Sequence, residues 1–132
     1  MGYNNRVIKK IAVAMIEYKN IPNCPVETSL IFLGHKWKAL IIRDLLTGGK
    51  RFSELKKSLN GITQKVLTYC LKELEADGLV LRKDFKTCPP HVEYSLTDVG
   101  YSLLPVLEAM AGWGTDYKKY LKLKEKRANA GK

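Results

Sequence analysis

The run Ser53-Glu54-Leu55-Lys56-Lys57-Ser58-Leu59-Asn60-Gly61-Ile62-Thr63-Gln64-Lys65-Val66-Leu67-Thr68-Tyr69-Cys70-Leu71-Lys72-Glu73-Leu74-Glu75-Ala76-Asp77-Gly78 holds two helix starts with a tight turn between them. Ser53 is a candidate N-cap for a short helix, Glu54 to Leu59. Its hydroxyl can accept from an otherwise unpaired N–H of the first turn. Asn60-Gly61 is a turn signal, because glycine takes a positive φ without steric cost. Thr63 can cap a second helix, Gln64 to Asp77, with Gly78 just past its end. A short helix, a glycine-containing turn and a longer helix make a helix-turn-helix.

Downstream, Leu79 to Phe85 is rich in strand formers. Lys86-Thr87-Cys88-Pro89-Pro90 is a turn, and His91 to Leu96 reads as the returning strand. A β-hairpin directly after a helix-turn-helix is a wing. Thr97 then caps a long helix, Asp98 to about Leu123, with a kink expected at Pro105, followed by a flexible tail over 124–132. Upstream, Lys36 to Leu46 places Trp37, Leu40, Ile41, Leu45 and Leu46 on one stripe, and Thr47-Gly48-Gly49 stops it. A shorter helix, Val26 to Leu33, precedes it. Pro22 and Pro25 separate that helix from a first segment with Val7, Ile8, Ile11, Met15 and Tyr18 at helical spacing. The expected fold is mainly α with a small β-hairpin wing: one winged helix-turn-helix domain over 1–132. Its motif and wing occupy 24–97, and its terminal helices occupy 1–20 and 98–123.

Lysine and arginine outnumber aspartate and glutamate 23 to 13, a formal net charge of +10. Such an excess favours polyanionic partners. At about 100° per residue, Leu67, Cys70, Leu71 and Leu74 share one side of the second motif helix. Lys65, Thr68, Tyr69 and Lys72 share the other, with Gln64 at its edge in the first turn. Reading the major groove requires donors and acceptors on the outer, N-terminal face of such a helix. Gln64 can bond adenine, Lys65 and Lys72 guanine or phosphate, Thr68 a base or a thymine methyl, and Tyr69 a phosphate or a stacked base. Arg82, Lys83 and Lys86 near the hairpin tip, with His91 on the return strand, suit phosphate and minor-groove contact. Arg51 and Ser53 are placed to meet a phosphate at the start of the first motif helix.

The chain carries, in order, Cys24-Pro25-Val26-Glu27, Gly34-His35-Lys36-Trp37-Lys38, Arg51-Phe52-Ser53-Glu54-Leu55, Gly61-Ile62-Thr63-Gln64-Lys65-Val66-Leu67-Thr68, Leu71-Lys72-Glu73-Leu74-Glu75-Ala76-Asp77-Gly78-Leu79-Val80, and Pro89-Pro90-His91-Val92-Glu93-Tyr94-Ser95-Leu96-Thr97 with Gly100. Together these ordered motifs resemble the HxlR family of bacterial winged-helix regulators, which is related to the MarR group. The match spans Cys24 to about Trp113. The resemblance implies small homodimeric repressors or activators that dimerise through their N- and C-terminal helices. It also implies that Thr63 to Lys72 reads DNA, that Arg82 to His91 is the wing, and that some members sense oxidants or electrophiles at the cysteine matching Cys24. His35 departs from the small residue commoner at that position, and the segment before Ile21 is longer than in many members.

Dimerisation also has support from the residues. Val7, Ile11 and Met15 at one end, and Leu107, Met110, Tyr117, Tyr120 and Leu121 at the other, are more apolar surface than a small winged helix needs. A twofold dimer would set two reading helices about 34 Å apart on a pseudo-palindromic operator. Cys24 precedes Pro25 at a helix start, where the helix dipole favours a thiolate. Cys70 falls on the core side of its helix, and Cys88 at the wing tip. Three scattered cysteines make neither a disulfide framework nor a zinc spacing. Met1 to Arg6 lacks the apolar run of a secretory leader, and no stretch reaches the roughly 20 apolar residues of a membrane span. A cytoplasmic protein with no metal, no cofactor and no membrane partner is expected, its partners being double-stranded DNA, a second copy of itself and an oxidant or small-molecule effector.

Other functional classes have less to build on. The only histidines are His35 and His91, and the chain has no HExxH, no GxSxG and no phosphate-cradling glycine loop, so no enzyme is expected. An RNA-binding sheet with stacked aromatics is also missing. The alternative reading is a winged helix that binds protein rather than DNA; it would not need Lys65, Lys72 or a basic wing.

Overall fold

The computed structural model describes residues 21–131. The expected first helix, with Val7, Ile11 and Met15, lies outside them. The chain forms two compact units, one ending at Tyr101 and one beginning at Ser102.

The first unit holds α1 (Pro25–Leu33), α2 (Lys36–Leu45), α3 (Phe52–Ser58), α4 (Gln64–Ala76), β1 (Val80–Asp84), β2 (Val92–Leu96) and α5 (Asp98–Tyr101). Its core is drawn from every layer: Ile41, Ile42 and Leu45 of α2, Leu55 of α3, Leu67, Cys70, Leu71 and Leu74 of α4, and Val80 and Leu96 of the hairpin. Leu59 and Ile62, on either side of the turn between α3 and α4, are also buried and fasten that turn to the core. Gly61 in the turn has φ +94°, a conformation side chains rarely adopt. Ser58 Oγ donates to Asp44 Oδ2 at 2.7 Å, which ties the end of α3 to α2.

The helix ends follow local chemistry. Thr63 caps α4, its Oγ1 accepting from the Val66 N–H at 3.2 Å. The start of α3 differs from expectation. Arg51, not Ser53, is its N-cap, and Phe52 is its first residue. Glu54 reaches back, its Oε1 accepting from the Arg51 N–H at 3.0 Å. An arginine side chain has no acceptor, so only this half of a capping box forms. It is enough to start the helix two residues early.

The hairpin is antiparallel, pairing Val80 with Leu96 and Asp84 with Val92. A third segment, not expected from the sequence, joins it. Lys50 and Tyr94 exchange both backbone hydrogen bonds, at 2.9 and 2.8 Å, and moor the wing to the loop before α3. Gly100 closes the unit. A Cβ there would collide with the Leu79 carbonyl, so only glycine lets α5 seat against the start of β1. The hydroxyl of Thr97 bridges this junction, donating to the Gly78 carbonyl at 2.6 Å and accepting from the Gly100 N–H at 3.0 Å.

The single helix expected over 98–123 is two. α5 ends at Tyr101, and α6 (Leu104–Ala130) begins after a short turn. Pro105 is the cause: it has no N–H to continue the α5 ladder, and its ring would clash with the carbonyl of residue 101. At the second position of a new helix it costs nothing. The helix also does not stop at Leu123. Lys124 to Ala130 are mostly good helix formers with no breaker before Gly131, and they extend α6 to 27 residues instead of forming a flexible tail.

Candidate nucleic-acid interface

The outer face of α4 rises from the buried row Leu67, Cys70, Leu71 and Leu74. Gln64, Lys65, Tyr69 and Lys72 are exposed and Thr68 is half-buried. Gln64, Lys65 and Lys72 sit on a helix rigidly seated at its base, and Thr63 is spent on capping, as a positioning residue must be.

Tyr69 is more committed than its spacing suggests. Glu73 follows it by one turn of α4, near enough for its carboxylate to act on the Tyr69 hydroxyl. Glu73 in turn lies 3.4 Å from the ammonium of Lys38, a lysine of α2 that is only 6% exposed. The Tyr69 hydroxyl first, and then the Lys38 charge, hold the Glu73 carboxyl below its ordinary value. The same carboxylate raises the Tyr69 phenol. Sequence reasoning missed Lys38 and Glu73; a lysine on the apolar side of α2 was the available signal.

In the wing, Arg82, Lys83 and Lys86 are exposed. Lys86 turns the chain with φ +51°, its N–H bonded to Asp84 Oδ1 at 2.8 Å. His91 is not a free contact. Its ring stacks on Phe85 with centroids 4.4 Å apart, and its Nε2 is 3.0 Å from Glu93 Oε2. Lys83 lies over the other part of this cluster, its ammonium 4.7 Å from the Phe85 ring centre. These contacts hold the wing in shape and leave Arg82 and Lys86 as its least encumbered cations. Arg51 and Ser53 are exposed at the start of α3, but the Arg51 N–H is already taken by Glu54.

Cys24 is exposed at the N-cap of α1, with Pro25 as the next residue. Cys88 is exposed and Cys70 buried. Burial pushes the Cys70 thiol up and keeps it protonated. Among the described residues no group of three or more His, Cys, Asp or Glu comes together to hold a metal, and no helix is long and apolar enough to cross a membrane.

In the second unit, α6 has no buried residue among the described ones. Trp113, Tyr117 and Tyr120 stack in series, with centroids 5.2 and 5.9 Å apart. Met110 and Leu121 are exposed beside them, and Leu107 is half-buried.

A helix-turn-helix seated on a core, a wing moored beside it and a polar outer face on α4 define a DNA-binding transcription regulator. The chain belongs to the HxlR-like helix-turn-helix family, whose profile matches residues 32–122. It is 50% identical over 95 residues to the HTH-type transcriptional regulator YdeP of Bacillus subtilis, covering 72% of this chain and 74% of that one. Among solved structures it is similar to the redox regulator HypR in its reduced form, with a TM-score of 0.70 and 42% identity over 75% of this chain and 98% of HypR. It is also similar to quinone-bound YodB from B. subtilis, with a TM-score of 0.61 and 37% identity over 70% of this chain and 99% of YodB.

Proposed function

We propose that this regulator reads a pseudo-palindromic operator as a homodimer, with α4 in the major groove and the wing on the flanking backbone. The observation that carries the reading is the outer face of α4, where exposed Gln64, Lys65 and Lys72 project from a helix fixed by four buried side chains. Thr68 completes the base-reading set, and Arg82, Lys83 and Lys86 supply phosphate contacts with Arg51 and Ser53. His91 acts within the wing, as a brace for Phe85, and not as a contact. The exposed aromatic series of α6 supports association: an apolar face of this size left uncovered marks an interface. A second copy is the partner that a twofold operator requires.

The regulator also responds to oxidants or electrophiles through Cys24. Its exposed thiol at a helix N-terminus supports this role, as does the likeness to a redox regulator and to a quinone-bound relative.

Charge reversal at Lys65 and Lys72 tests the reading in a gel-shift titration. Each lost phosphate or guanine contact should weaken binding, and the slope of log affinity against log salt should fall by about one per phosphate contact removed. An unchanged affinity would instead favour a winged helix that binds protein.

A further inference from the structure

The second half of α6 concentrates the charge of the chain. Residues 118–127 hold six cations, five lysines and Arg127, against one acid, Glu125, so this short segment supplies +5 of the chain's +10. At about 100° per residue, Lys118, Lys119, Lys122 and Lys126 fall within one arc of about 100°, with Glu125 at its edge. Trp113, Tyr117 and Tyr120 occupy the opposite side of the helix. All four lysines are exposed, and among the described residues none has a salt-bridge partner.

Helix stability does not account for this stripe. The helix dipole favours cations near a C-terminus, but only within the last turn. Lys118, Lys119 and Lys122 lie two or more turns before Ala130. Acid–lysine pairs four residues apart support a helix surface, whereas Lys118 with Lys122 and Lys122 with Lys126 are like-charge pairs at that spacing, which weaken it. A polyanion lying along the stripe relieves their repulsion.

The dimensions suit a duplex. Lys118 to Lys126 span about 12 Å along the axis of α6. Duplex DNA carries about one charge per 1.7 Å of its axis, so that span faces roughly seven phosphate charges, enough to engage every lysine of the stripe. Flexible point charges with no fixed bonding geometry position a backbone without reading sequence. An anionic lipid surface also attracts lysines, but an interfacial helix inserts its apolar side at the same time. That side of α6 is the one a second copy covers in the proposed dimer.

We propose that Lys118, Lys119, Lys122 and Lys126 form a second duplex-binding site, indifferent to sequence and made of residues other than the operator-reading face of α4, a site that rests on the proposed dimer covering the aromatic side of α6. With both sites, one dimer holds an operator and a further stretch of duplex at once.

The test uses the full chain, an operator recovered by selection from random duplexes, and a labelled duplex of random sequence. Protein saturated with unlabelled operator is titrated with the labelled duplex at about 0.05 M salt, where phosphate contacts are strong. The unaltered protein should take up the labelled duplex with the operator retained. The combined variant Lys118→Gln, Lys119→Gln, Lys122→Gln, Lys126→Gln should take it up at least about tenfold more weakly, with a salt slope lower by about three to four. Its preference among operator sequences and its mass by sedimentation should be unchanged. The four positions are exposed and glutamine is a good helix former, so the variant keeps its fold. Operator-bound protein that takes up no labelled duplex would overturn the proposal. So would a variant that takes it up as well as the unaltered chain, or one that loses only its capture by vesicles of phosphatidylserine and phosphatidylcholine. Selection that yields no operator would sink the reading of α4 instead. The labelled duplex is then titrated onto free protein: binding lost in the α6 variant and kept in Lys65→Glu with Lys72→Glu supports the second site, and the reverse overturns it.

Discussion

α4 and α6 are both two-faced helices, and they dispose of their apolar sides in opposite ways. α4 buries Leu67, Cys70, Leu71 and Leu74 in the core and keeps its polar side exposed. α6 buries nothing among the described residues and keeps Met110, Trp113, Tyr117, Tyr120 and Leu121 exposed along its length. The same periodicity therefore serves folding in one helix and, in the proposed dimer, association in the other. An apolar stripe in the sequence says that a helix must be covered, without saying by what.

The sharpest way to break this contrast is truncation. Leu74→Ala should destabilise the folded chain by about 2–5 kcal/mol, because a fully buried leucine leaves a cavity. Leu121→Ala should leave the unfolding of dilute protein nearly unchanged. Denaturant titrations of the two variants decide it, and equal losses would mean that α6 is as much a part of the core as α4.

The next effect is on assembly. Trp113→Ala removes an aromatic that is 68% exposed and stacked on Tyr117. If that ring is an interface anchor, the dimer should weaken by roughly 2 kcal/mol, the scale of a hot-spot residue. Sedimentation over a concentration series would show the monomer appearing at higher concentration than in the unaltered protein. A mass matching one chain at every micromolar concentration, before any substitution, would remove dimerisation from the account.

A smaller and more local contrast separates the cysteines. Cys24→Ser should bind operator as tightly as the unaltered protein and lose its response to diamide, while Cys70→Ser should retain that response. Both follow from exposure, since a thiol must be reached to react. Full diamide response in Cys24→Ser would point to Cys88, the other exposed cysteine.

Much of this was legible in the sequence, for physical reasons that also explain what was not. Thr63, Gly61 and the row Leu67, Cys70, Leu71 and Leu74 act through their immediate neighbours, so spacing alone reveals the cap, the turn and the core face of α4. The division at Pro105 was half legible: the proline marks a disturbance, but whether a helix kinks or restarts depends on the turn that precedes it. The Lys50–Tyr94 pairing was invisible because a single bridged residue has no alternation to read. The engagement of His91 with Phe85 and Glu93 depends on hairpin register, and that of Glu73 with Lys38 joins residues 35 positions apart. Residue type showed what those side chains can bond, and only the fold showed that some of that capacity is already used.

The most direct test of the central claim, that α4 reads duplex DNA in a twofold assembly, is selection from a random duplex library at about 0.15 M salt, where non-specific binding is weakened. The account predicts enrichment of a palindrome whose half-sites lie about one helical turn apart. Folded, reduced protein that enriches no motif, or only an isolated half-site, would contradict it.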